Sequence, residues 1–229
     1  MKILAVCGID TGVGKSVVTG LLARWLIDRG ERVITMKLVQ TGGSGRSEDI
    51  LLHRRLMGVP WNHWDDSGLT CPYRFPLPAS PHLAARLAGQ RVQPERLDQS
   101  LAQLADAHDR VLIEGAGGLL VPLTEDLLLA DFLAARALPI LLVTSSRLGS
   151  INHTLLSLEA IRARGLVLAG LLCNTFPPAL AEIEADSPRL FRAWLDRLGL
   201  ACPLITLGQD HAGSPACDFS PLFPPLSPT

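Results

Sequence analysis

The strongest chemical signal in the chain is Gly8-Ile9-Asp10-Thr11-Gly12-Val13-Gly14-Lys15-Ser16. Glycines at this density let backbone N–H groups turn toward an anion, and a helix N-terminus behind them adds partial positive charge. Lys15 can reach the outer phosphates of a nucleotide, and the Ser16 hydroxyl can ligate Mg²⁺. Such a cradle needs a strand before it and a helix after it. Residues 2–8 form an apolar run ending in glycine, and residues 15–29 carry Val18, Leu21, Leu22, Trp25 and Leu26 at helical spacing. The competing reading, a glycine turn that happens to precede a lysine, explains neither the Lys-Ser pair nor its placement. From Gly8 to Gly14 the loop is one residue longer than the common phosphate-binding spacing.

Three further segments supply groups that nucleotide chemistry uses. Lys37, in Met36-Lys37-Leu38-Val39-Gln40-Thr41-Gly42, stands at the end of an expected second strand. Ligand sites of open α/β sheets gather there, and a second lysine could neutralise charge on a transferring phosphoryl group. Its competing reading is a solvated lysine at a strand end. Glu114 ends the apolar run Val111-Leu112-Ile113 and is followed by Gly115-Ala116-Gly117-Gly118. An acidic residue in that position resembles the second magnesium motif of phosphate-loop enzymes, and Asp49 could complete an oxygen shell for the ion. Asp49 reads equally as a helix-cap or first-turn acid. Arg147-Leu148-Gly149-Ser150-Ile151-Asn152-His153 follows a strand and opens a helix, whose free N–H groups could hold a carboxylate. For Ser150 and Asn152 the alternative is simple capping.

These groups need a frame that gathers strand ends. Residues 32–37 read as a second strand, so the chain opens strand, glycine loop, helix, strand, which favours a parallel sheet with a crossover helix. Further strands are expected at 110–114, 138–144, 166–173 and 202–207. Helices are expected over 47–57, 81–88, 94–108, 124–137, 152–164 and 178–198, with irregular chain at 41–46 and 60–80. The length of 229 residues suits one domain, placed at 1–212. Five of the last fifteen residues are proline, so 213–229 reads as an extended Pro-rich tail.

Composition narrows the partners. Lys plus Arg number 21 and Asp plus Glu 22, a net charge of −1 that suits neither wrapping of nucleic acid nor attraction to an anionic membrane. No apolar run approaches the 18 or so residues that span a bilayer. The apolar start is too short, and broken too soon by Asp10, for a signal peptide. The five cysteines are scattered without a Cys-x-x-Cys pair, which gives neither a disulfide framework nor a zinc site and fits a reducing cytoplasm.

Taken in this order, the four segments resemble the dethiobiotin synthase family. The match extends to about Asn174 and is densest in VLIEGAGGLLVPL (111–123) and in 138–174, which holds LGSINH and LAGLLCN; SPHLAARL (80–87) also resembles it. The resemblance implies an α/β, P-loop NTPase-like three-layer fold with a mostly parallel central sheet flanked by helices, working as a homodimer. It implies closure of a ureido ring on 7,8-diaminononanoate (7,8-diaminopelargonate) with CO₂, ATP and Mg²⁺, through a carbamate and a carbamic–phosphoric anhydride. Carried over by motif, Lys15, Lys37 and Thr11 act on the reacting groups. Gly12, Val13, Gly14, Lys15, Ser16, Val17 and Asn174 hold the nucleotide, with Asn174 on the adenine. Ser16, Asp49 and Glu114 hold the metal. Thr41 contacts phosphate or carbamate oxygens, and Gly149, Ser150, Ile151 and Asn152 of a partner subunit hold the substrate's distant carboxylate. Gly12 departs from the pattern by standing where an acidic residue is common.

A rival from another class is a partitioning-type ATPase switch. It calls for a signature lysine early in the loop, where this chain has Asp10-Thr11. A cobyrinate-type amidotransferase calls for a glutaminase domain, for which the chain has no room. A small-molecule kinase would leave phosphate on its product.

Overall fold

Apolar runs that do not alternate make strands covered on both faces, and such strands belong inside parallel sheets. The computed structural model of the protein, which describes residues 1–178, 180–209 and 215–223, is built on them. The strands are β1 (Ile3–Gly8), β2 (Val33–Lys37), β3 (Val39–Thr41), β4 (Tyr73–Phe75), β5 (Arg110–Gly118), β6 (Ile140–Ser145), β7 (Leu168–Asn174), β8 (Leu204–Gln209) and β9 (Pro215–Ala216). The helices are α1 (Lys15–Ile27), α2 (Glu48–Met57), α3 (His63–Asp66), α4 (Pro81–Leu87), α5 (Pro94–Ala107), α6 (Leu129–Ala134), α7 (Ser150–Ala163) and α8 (Ala181–Leu198). The main sheet runs β2-β5-β1-β6-β7-β8-β9, parallel throughout except for β9 against β8. This is the expected α/β architecture of a mostly parallel sheet flanked by helices.

One apolar core runs from Leu4 of β1 to Leu222 near the end of the chain. Every residue of β2 and β6 is buried, Lys37 included. Because all of the parallel strands point the same way, the C-terminal ends of β1, β2 and β5 lie side by side. Val6 pairs with Glu114 and Lys37 pairs with Glu114, so the phosphate-loop strand, the Lys37 strand and the acidic strand end at one level.

Three local expectations are corrected. The irregular stretch 60–80 contains the one-turn helix α3 and the strand β4, which pairs in parallel with β3. Tyr73 and Phe75 are buried and Arg74 is exposed, a period-2 pattern too short to stand out among prolines. The helix over 124–137 shrinks to Leu129–Ala134. Residues 123–128 form a turn instead, where Leu123 and Thr124 both donate to the Leu127 carbonyl and Pro122 bridges Leu128. The helix expected from 152 begins at Ser150, directly behind Gly149 in a left-handed conformation.

Residues 219–223 pack on the core. A short 3₁₀ turn at Ser220–Leu222 places Phe219 and Leu222 among buried residues. Phe223 stacks on Trp25 of α1 at 5.6 Å and Phe219 meets the same ring edge-on at 6.3 Å. On β7, a Cβ at Gly170 would lie 2.5 Å from Leu222 Cδ2, so glycine there gives this segment its seat. The boundary expected between 212 and 213 lies outside the described residues. Among the described residues no helix is long and apolar enough to cross a membrane, and all five cysteines are free thiols.

Candidate active site

The turn from β1 into α1 is shaped by glycine. Gly14 sits at the helix N-cap with φ +94°, and a Cβ there would lie 2.4 Å from Asn174 Nδ2. An L side chain at such a φ is strained, and here it would also collide. The first turn of α1 carries no acidic residue, which leaves its N–H groups to an incoming anion. Lys15 folds back to donate to the Asp10 carbonyl at 2.7 Å. Burial, and then the nearby Lys37 charge, push its ammonium down to about 8.

Behind the loop lies a tight oxygen and ammonium cluster. Lys37 Nζ is 2.6 Å from Asp49 Oδ2 and 2.6 Å from Glu114 Oε1, and it also donates to the Gly115 carbonyl. Burial alone would discharge Lys37, but the Glu114 and Asp49 carboxylates outweigh it and hold the ammonium above its ordinary value. Burial likewise opposes the charge on Glu114, and Lys37 and then His53 overcome it, keeping the carboxyl well below the usual range. The lysine at this strand end is therefore buried and paired, not solvated. Ser16 Oγ is 2.9 Å from Glu114 Oε1 and 3.0 Å from Asp49 Oδ1. Asp49 is a first-turn acid of α2 and a member of the cluster at once.

A cleft of about 830 Å³ opens over this cluster. It brings together Thr11, Gly12, Gly14, Lys15, Ser16, Val17, Lys37, Thr41, Asp49 and Glu114. Two groups of sequence-derived residues lie off it. Val13 and Asn174 sit behind the loop: Asn174 Nδ2 donates to the Val13 carbonyl at 3.0 Å, and its Oδ1 accepts from Phe176 N–H. Gly149, Ser150, Ile151 and Asn152 lie at the start of α7. The Ser150 hydroxyl is buried against Ser145 Oγ at 2.7 Å and caps nothing, whereas Gly149 and Asn152 are exposed and Leu148 is 92 % exposed.

Sequence reasoning missed several members. His53 is fully buried with Nε2 2.7 Å from Glu114 Oε2, and Thr35 and Arg54 stand behind it. Its spacing from Asp49, four residues along α2, puts both on one helix face, and that spacing was the available signal. Asp10 meets Arg147 in an ion pair that joins the phosphate loop to the start of α7. No sequence signal links those two, since they are far apart in the chain.

A parallel α/β sheet whose first strand turns through a Gly-Lys-Ser loop into a helix, with an acidic strand end beside it, defines a P-loop nucleotide-binding protein. The family described as AAA domain matches residues 2–197. The chain is 45 % identical over 225 residues to the ATP-dependent dethiobiotin synthetase BioD of Chlorobaculum tepidum, covering 98 % of this chain and 94 % of that one. It is 45 % identical to BioD 2 of Haemophilus influenzae (77 % and 92 % covered) and 40 % identical to BioD 2 of Pasteurella multocida (86 % and 92 %). Among solved structures, the signal recognition particle receptor FtsY of Elizabethkingia anophelis with GDP superposes with a TM-score of 0.54 at 14 % identity. That likeness covers 97 % of this chain but only 61 % of the receptor, and it concerns the fold alone. The chain belongs to the ATP-dependent dethiobiotin synthetases, and the partitioning-type switch is not favoured.

Proposed function

We propose that the chain closes the ureido ring of dethiobiotin from 7,8-diaminononanoate, CO₂ and ATP, in biotin biosynthesis. The observation that carries this reading is the pairing of a phosphate loop with a second buried ammonium, Lys37, at the floor of one cleft. Phosphoryl transfer asks a protein mainly for positioning and charge neutralisation. No nucleophilic side chain is needed, because the nucleophile is the substrate's own carbamate.

The diamine loses a proton and takes up CO₂ at one amine. The carbamate oxygen attacks the γ-phosphorus of ATP and ADP leaves. The second amine then attacks the carbonyl carbon of the mixed anhydride and gives up a proton, and phosphate leaves with the ring closed. Lys15 and Lys37 face the charge that builds on the phosphoryl oxygens, and Thr11 and Thr41 offer hydroxyls at the two sides of the cleft. Gly12 to Val17 would wrap the phosphates with their N–H groups, and Asn174 would read the adenine.

The donor set fits Mg²⁺. Ser16, Asp49 and Glu114 bring three hard oxygens to one point, and a hydroxyl with one proton satisfies only one of the two carboxylates it touches. These three residues would hold the ion beside the phosphates, where it would neutralise oxygen charge. Among the described residues no group of three or more His, Cys, Asp or Glu could hold a metal. A Mg²⁺ ion that shares its shell with phosphate oxygens and waters does not require one.

The α7 start supports a homodimer, in which Gly149 to Asn152 hold the far carboxylate of substrate bound in the partner's cleft. Gly149 and Asn152 are exposed although Ser150 between them is buried, and the segment lies off its own chain's cleft at the start of a helix.

The deciding experiment is phosphate release from ATP with Mg²⁺ and bicarbonate, with and without 7,8-diaminononanoate. Strict dependence on the diamine, with a ureido product by mass, is the expected result. Release that ignores the diamine overturns the reading.

A further inference from the structure

Glu114 has two carboxylate oxygens with separate employment. Oε1 faces Lys37 Nζ at 2.6 Å and Ser16 Oγ at 2.9 Å, and Oε2 faces His53 Nε2 at 2.7 Å. His53 is wholly buried, and its other nitrogen, Nδ1, is 3.1 Å from Thr35 Oγ1. Thr35 in turn lies 2.9 Å from Arg54 Nη1, and Arg54 is fixed by two bonds to Asp65, at 2.7 and 2.9 Å.

The direction of this chain follows from its first member. A guanidinium only donates, so Thr35 Oγ1 accepts from Arg54 and its single proton is left for His53 Nδ1. The other acceptor near that hydroxyl, Met57 Sδ at 4.0 Å, is distant and weak. Nδ1 is then the accepting nitrogen, and Nε2–H donates to Glu114. The bond ties down one carboxylate oxygen and so sets the rotation of the other.

We propose that His53 is a positioning residue for Glu114. Donating from Nε2 with its tautomer fixed by Thr35 and Arg54, it aims Oε1 at the point that Lys37 and Ser16 share. This rests on the reading of Ser16, Asp49 and Glu114 as metal ligands beside a nucleotide. Partners of this kind behind a ligand typically affect metal affinity or activity by about 10–100-fold when removed.

The test uses three variants of the full chain. His53→Leu fills the space without a donor. His53→Gln returns an N–H near the Nε2 position. Thr35→Val removes the hydroxyl that fixes the tautomer and leaves the imidazole in place. Mn²⁺ binding in the presence of ATP, read by electron paramagnetic resonance, needs no diamine. A failure of the ligase reading would show only in diamine-dependent phosphate release by the unaltered protein, so the two are separable. His53→Leu is expected to weaken Mn²⁺ binding about tenfold or more, and Thr35→Val by less. His53→Gln is expected to recover most of the loss. In the unaltered protein, nitrogen-15 spectra of the imidazole are expected to show a protonated Nε2 and an unprotonated Nδ1. Folded Leu and Val variants that bind Mn²⁺ as the unaltered protein does overturn the proposal, as does a protonated Nδ1. Should His53→Leu fail to fold, Thr35→Val and the imidazole spectrum still decide.

Discussion

Two charges of each sign hold the floor of the cleft in balance: Lys15 and Lys37 against Asp49 and Glu114. Removing Lys37 outright would leave the two carboxylates facing each other in a buried place, where an unpaired charge costs several kcal/mol. Lys37→Gln is the milder test, because it leaves an amide donor near the two carboxylates while its charge is gone. That variant is expected to melt at a lower temperature, since the carboxylates lose their counter-charge, yet as folded protein to lose about 10²–10³-fold in kcat, the usual effect of losing one preorganised donor at a developing charge. Turnover near that of the unaltered protein in the diamine-dependent phosphate assay would remove Lys37 from the mechanism. Several residues of this site were legible from type and spacing alone. Lys15, Ser16 and Glu114 each follow from a strand end or a helix start next to glycines. Lys37 needed its partners to be seen, since a lone lysine at a strand end has an ordinary solvated reading.

The short helix α3 shows what spacing could not convey. Its only buried residue is Asp65, which closes a capping box with Asn62 and also holds Arg54 of α2 through two bonds. Burial works against the Asp65 charge, and Arg54 outweighs it, so the carboxyl stays below its ordinary value. A lowered carboxyl pKa contributes stability that is present above the unfolded value, about 4, and is lost as pH falls through the folded one. Asp65→Asn is expected to lower stability at pH 7 by about 3–5 kcal/mol, because Arg54 is left buried without its counter-charge. The difference from the unaltered protein should shrink below about pH 4; denaturant titrations at pH 7 and pH 3 measure it, and an unchanged difference would refute the linkage. From the sequence, residues 60–80 read as loop because proline, tryptophan and glycine crowd them. Long periodic elements such as α1 and α5 needed no such partner and were legible to within a few residues. Where tertiary contacts decide, as in the turn at 123–128, helix-forming residues were a poor guide.

At the scale of the assembly, the dimer proposed above, with Gly149 to Asn152 of a second subunit on the substrate carboxylate, would make each site the work of two chains. Lys37→Gln disables the site of its own chain, whereas Asn152→Ala weakens the site of its partner. Coexpressed, the two variants form mixed dimers in which one site has both intact halves. At low diamine concentration the mixture is expected to recover about a quarter of normal turnover, since random pairing of a two-fold dimer makes half the dimers mixed. No recovery, with mixed dimers present by mass spectrometry, would confine each site to one chain. Within a single chain, a tie across nearly the whole described length joins Trp25 to the 219–223 segment. Phe219→Ala is expected to cost about 3–5 kcal/mol, read in the thermal transition and in the emission of Trp25; an unshifted transition would mean the segment merely rests there. The same tie has a bearing on synthesis. Trp25 leaves the ribosome long before its cover does, so through that interval the growing chain carries an open apolar seam. The first helix and β7 wait on the 219–223 segment before the last of the core can close.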